Sequence, residues 1–100
     1  MEEIIVDFTG VKTTQELHSR FIEPLKLEKP DRGMVAGYKY ARNFSALWDL
    51  LYHGFGKDTC IILKGLDQLS DDFDEEVRIT KTVFNRLQEK DPRITVRYVD

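Results

Sequence analysis

The sequence predicts an α/β domain in which a small three-stranded parallel sheet is packed with three to four helices. Three observations lead there. Short runs with strand character occur at residues 4–8, 59–63 and 94–98. Stretches with apolar residues at helical spacing lie between them. Strands that alternate with helices pair in parallel through right-handed crossovers. One hundred residues, 41% of them hydrophobic, suffice for one modest core, so the chain is read as a single domain over residues 1–100.

In chain order, IIVDF at residues 4–8 is short, β-branched and closed by Gly10, which makes it a strand. Thr13 and Glu16 have the spacing of a capping box, in which each side chain satisfies the other's backbone N–H. Leu17, Phe21 and Leu25 then form a helical stripe. Pro24 has no N–H to donate, so this helix is expected to end near Glu23. Residues 26–39 are polar and broken by Pro30, Gly33 and Gly37, and read as one long, mobile loop.

Asn43 is a good N-cap for a second helix. Phe44, Leu47, Trp48 and Leu51 share its apolar face. Ser45, Asp49 and His53 recur every four residues on the other side, and Gly54 and Gly56 end it. Trp48 is expected to be the largest single contributor to packing the helix on the sheet.

TCIIL at residues 59–63 is continuously apolar, as for a strand covered on both faces. Residues 64–69 turn away through a short helix. Ser70 and the acids at 71, 72, 74, 75 and 76 open the longest helix, where carboxylates oppose the positive end of the helix dipole. Phe73, Val77, Thr80, Phe84 and Leu87 keep to one face, with Val83 beside it. Asp74 and Arg78 have i,i+4 spacing for an ion pair. Pro92 follows Asp91 and stops the helix, and Ile94, Val96 and Tyr98 alternate with polar neighbours as a half-buried strand.

Charge and chemistry narrow the function. One third of the residues are charged, but the formal net charge is only -3, which gives no strong drive toward nucleic acid or an anionic membrane and mildly favours a basic partner. Cys60 is the single cysteine, so no intrachain disulfide forms, and a reducing cytoplasm is expected. The acidic start is unlike a signal peptide, and no apolar run approaches the roughly 20 residues of a membrane span.

His18 and His53 lie on different helices without a surrounding motif, and a solvated or capping role is favoured over catalysis. The acids at 71–76 are explained by a helix start, and the EF-hand spacing is absent. Cys60 sits in an apolar strand, where a thiol is inert. The glycines form neither a dinucleotide fingerprint nor a P-loop. Arg78, Lys81, Arg86 and Lys90 make one side of the last helix basic without interleaved aromatics, which favours a solvated face over RNA binding. The expectation is a non-enzymatic protein with no cofactor and no metal.

The segment YARNFSALWD, residues 40–49, resembles the barstar family of intracellular ribonuclease inhibitors, which carry Tyr-Gly-x-Asn-Leu-Asp-Ala-Leu-Trp-Asp at this place. Glu16-Leu17-His18 is similar to the family's Asp-Leu-His, and Val83-Phe84 and the run ITV at 94–96 follow in order. The likeness covers nearly the whole chain except the loop around residues 28–37, which is longer here. It implies a barstar-like fold and binding without catalysis: the second helix and the loop before it plug the active site of a ribonuclease. Asp49 would stand where the substrate phosphate sits, on a helix fixed by Trp48. Tyr40 would supply contact area, and Asn43 would chiefly cap the helix.

The expected contact set is Asp49, Tyr40, Lys39, Arg42, Asn43, Ser45, His53 and Arg86, and the expected partner is a cognate ribonuclease or nuclease toxin, bound by a monomer that touches neither nucleic acid nor membrane. Ser45 and Lys39 depart from the family pattern, which has an acid and a tyrosine there, and Ala41 replaces a glycine. Arg86 and Lys90 stand where the family has acids, so they would repel a basic cleft, and the implied partner is a divergent one. The alternative is a non-inhibitory adaptor or regulatory domain that binds an acidic protein through the basic side of the last helix.

Overall fold

The computed structural model describes residues 1–28 and 39–100. Most of the loop expected over residues 26–39 therefore lies outside the described residues. Strands β1 (Glu2–Asp7), β2 (Thr59–Lys64) and β3 (Ile94–Val99) form a parallel sheet in the order β1-β2-β3. The register aligns Ile4 with Ile61 and Val96, and Ile5 with Ile62 and Arg97.

Four α-helical segments accompany the sheet: α1 (Thr14–Ser19), α2 (Ile22–Leu25), α3 (Phe44–Leu51) and α4 (Asp74–Lys90). The first two are one helix broken at Arg20 and Phe21, so the architecture is a three-stranded sheet with three helices. Short 3-10 turns at Leu66–Gln68 and Asp71–Phe73 lead into α4.

Pro24 does not end the first helix as the sequence predicts; it sits inside α2. The reason is local. Within its first turn a helix leaves N–H groups without acceptors, so a missing donor costs nothing there. The segment closes instead at Lys26, which is left-handed (φ 54°), while the Leu27 amide donates to the Ile22 carbonyl at 3.0 Å. Leu17, Phe21 and Leu25 are all buried as expected, and Leu27 joins them.

Alternate side chains of the strands point to opposite faces. Ile4, Val6, Ile61, Leu63 and Ile94 face the helices and are buried, together with Phe8, Phe84 and Leu87. Two right-handed crossovers that step in the same direction leave both connections on one side of a sheet. Accordingly the second face of β2 carries no helix, and its apolar run is covered there only in part: Cys60 is buried and Ile62 half-buried. The second face carries Glu3, Ile5, Thr95 and Arg97, all exposed. Cys60 also lies on that face, between Glu3 and Thr95 in register, and is itself buried.

Helix α4 buries Thr80, Val83, Phe84 and Leu87 as its spacing requires. Arg78 lies 4.0 Å from Glu75, not paired with Asp74. Both side chains are exposed, so the contact adds little.

Candidate functional site

The most informative surface is the outer side of α3. Its foundation is Leu47 and Leu51, both fully buried. Trp48 is half-buried and packs against the core from its margin, so it shares the anchoring of α3 with the fully buried Leu47 and Leu51. At 100° per residue, its side chain departs from the middle of the Phe44, Leu47 and Leu51 stripe by roughly 70°. Its ring instead meets Tyr52 edge-on, with centroids 6.0 Å apart. Tyr52 is 51% exposed and lies four residues from Trp48, a spacing that could have flagged it from the sequence.

Asp49 is exposed, and its carboxylate has no hydrogen bond or ion pair with any other described residue. Ser45 and His53 are exposed on the same side of the helix, as the four-residue spacing predicts. The His53 ring stands edge-on to Tyr52.

The start of α3 is held from several directions. Asn43 has extended backbone geometry, and its side-chain oxygen accepts from the Ala46 amide at 2.8 Å. The expected capping role is therefore present. Asn43→Ala is expected to lower stability by about 1 kcal/mol. A urea titration reads this as a lower midpoint at unchanged slope; an unmoved midpoint would show that the cap is dispensable.

Arg42, just before the cap, is left-handed (φ 56°), a conformation that costs a non-glycine residue roughly 1 kcal/mol or more. Its Nε donates to Ser19 Oγ on α1 at 3.1 Å. The strain is thus located in the segment that delivers α3.

Tyr40 does not serve as a surface contact. It is 2% exposed and belongs to the core. Its hydroxyl lies 2.8 Å from His18 Nδ1 and donates to the Asn43 carbonyl at 3.1 Å. One hydroxyl proton serves one acceptor, so the chain closes when His18 Nδ1–H donates to Tyr40 and Tyr40 donates to Asn43. Nor is His18 solvated: it is buried between Phe21, Tyr40 and Phe44. Desolvation pushes its pKa below the usual histidine range, aided by Arg42 and opposed by Glu76 on α4.

Lys39 is exposed and lies 4.0 Å from Glu28, whose other carboxylate oxygen accepts from the Tyr40 amide at 2.8 Å. Lys39 and Arg42 thus flank the buried tyrosine at the entrance to α3.

Helix α4 packs beside α3. Lys90 Nζ donates to the Tyr52 carbonyl at 3.1 Å and lies 4.0 Å from the centroid of its ring. It therefore caps the end of α3. Lys81 is tied to Asp67 at 2.7 Å. Arg86 is exposed with no partner among the described residues. The basic side of α4 is thus divided among local contacts, with Arg86 as its one unengaged cation. Among the described residues, no group of three or more His, Cys, Asp or Glu side chains is placed to hold a metal ion, and no helix is long and apolar enough to cross a membrane.

The site is therefore a short, doubly tethered helix presenting an unpaired carboxylate, with Trp48 and Tyr52 on the same helix. The chain matches no protein-family model and no curated protein.

Proposed function

We propose that the chain is a barstar-like inhibitor or immunity protein that acts in the cytoplasm by occluding the active site of a cognate ribonuclease or related nuclease toxin. The observation that carries this reading is Asp49: exposed, unpaired among the described residues, and mounted on a helix rooted by Leu47 and Leu51 and capped by Asn43 and Lys90. A carboxylate on so rigid a support replaces a substrate phosphate opposite Arg and Lys with little ordering cost. The likeness of residues 40–49 to the barstar segment and the three-stranded parallel sheet support the same reading.

The proposed contact set follows the observed burial. Tyr40 works from inside, as a positioning residue. Asp49, Ser45, His53, Lys39, Arg42 and Arg86 stay at the surface. Half-buried Trp48 and exposed Tyr52 join them. The adaptor reading through the basic side of α4 has less support, because Lys81 and Lys90 are committed to Asp67 and Tyr52.

The test is an equilibrium titration against a panel of purified secreted microbial ribonucleases and nuclease toxins, with loss of nuclease turnover as the readout. The wild type inhibits at least one of them stoichiometrically. Asp49→Ala is expected to weaken that complex by about 30-fold or more, as for a central hot spot, with an unchanged melting curve. Equal inhibition by the two proteins would remove Asp49 from the centre of the interface.

A further inference from the structure

The helices cover one face of the sheet and leave the other bare, and we propose that a second copy of this chain docks on that bare face, sheet against sheet, with β2 over β2. The inference is independent of the proposed inhibition, because Asp49 belongs to the helical layer on the opposite side.

The face has an apolar centre. Ile5 is 54% exposed, and its register neighbour Ile62 is half-buried. A large aliphatic side chain left in water on a flat strand gains by being covered. The charges around this centre are segregated by strand. The acids Glu3 and Asp7 are on β1, and the base Arg97 is on β3. Asp7 is engaged internally, accepting from the Thr9 amide and hydroxyl at 2.9 and 2.6 Å. Glu3 and Arg97 are exposed, and neither has a partner among the described residues. They occupy opposite edges with β2 between them, about 10 Å apart at ordinary strand spacing, too far to pair within one chain.

A two-fold axis along β2 resolves this arrangement. It lays β1 of one copy over β3 of the other, so each Arg97 enters the space between Glu3 and Asp7 of its mate. The two Ile62 side chains meet at the axis. Lys64, at the end of β2, meets its own copy but has Asp7 beside it in register. A two-fold axis across the strands would instead lay acids on acids and Arg97 on Arg97. The charge pattern therefore selects one of the two aligned packings.

The area sets the strength. Three strands about 4.8 Å apart and about 20 Å long give a footprint of roughly 300 Å². A stable complex covers about 800 Å² per partner. The dimer is accordingly weak, reversible and sensitive to salt.

Sedimentation equilibrium of the full chain tests this from about 20 µM to about 1 mM, a range that reports a dissociation constant near the weak end of specific association. The expected result is a concentration-dependent dimer that loosens as salt rises. Arg97→Glu and Glu3→Arg each weaken it by about tenfold or more, by setting like charges opposite each other. The double variant Glu3→Arg/Arg97→Glu recovers part of the loss, since Asp7 remains, and Asp49→Ala leaves the dimer unchanged. Melting curves of the variants confirm that they fold. A monomer at every concentration, a double variant no stronger than the single ones, or a dimer lost with Asp49→Ala would each overturn the proposal.

Discussion

Leu47→Ala lowers the free energy of unfolding by about 3–5 kcal/mol, as expected for a fully buried leucine whose cavity cannot close. Trp48→Ala costs less, about 2–3 kcal/mol, because part of the ring already meets water. Urea titrations of the two variants measure the order directly. A larger loss for Trp48→Ala would mean that the indole, not the leucines, seats α3. The ranking bears on function, because a helix seated by Leu47 and Leu51 frees Trp48 to act at the surface beside Asp49.

The second large effect is at Tyr40. Tyr40→Ala removes a buried ring from the junction of α1 and α3 and is expected to cost about 3–5 kcal/mol. Tyr40→Phe keeps the ring and strips the hydroxyl from between His18 and the Asn43 carbonyl, for about 1–3 kcal/mol. A Phe variant as stable as the wild type would show that the polar chain contributes nothing.

The same contact gives the fold a pH dependence. His18 has a folded pKa lowered by desolvation, so the unfolded chain takes up its proton first. Stability is complete above about pH 6.5, the unfolded value, and declines as pH falls from there toward the lower folded value. Glu2, Asp7 and Asp91, whose pKa values are lowered by hydrogen bonds from Lys57, Thr9 and Arg93, lose their contributions only below about pH 4. The two windows are therefore separate. Thermal melts between about pH 7.5 and 5.5 should show a falling midpoint in the wild type and a flatter line in His18→Gln. Parallel lines would remove His18 from the pH response.

The sheet and helices were legible because their signals are local. Asn43 declares a cap by its type and its place before Phe44. The alternation of Ile94, Val96 and Tyr98 declares a strand with one wet face. Asp49 was legible as well, since a helical wheel turns it away from Leu47 and Leu51.

What escaped the sequence depends on depth and on distant partners. A wheel gives the direction of Trp48 but not how far beneath it the core extends. Tyr40 lies outside any periodic stretch, and the histidine that claims its hydroxyl is 22 positions earlier. The apolar run of β2 reads as a strand covered twice, yet the register neighbours on its second face, Glu3, Ile5, Thr95 and Arg97, are exposed. Lys90 and Lys81 read as free surface charge, and only packing shows that Tyr52 and Asp67 hold them.

Glu28 and Tyr40 hold the two ends of the intervening stretch together as a stem, through one carboxylate and one amide. That one bond ties the end of the first helical layer to the residue three positions ahead of the Asn43 cap. A change at Glu28 is therefore felt on another element, at the address of the Asp49 carboxylate.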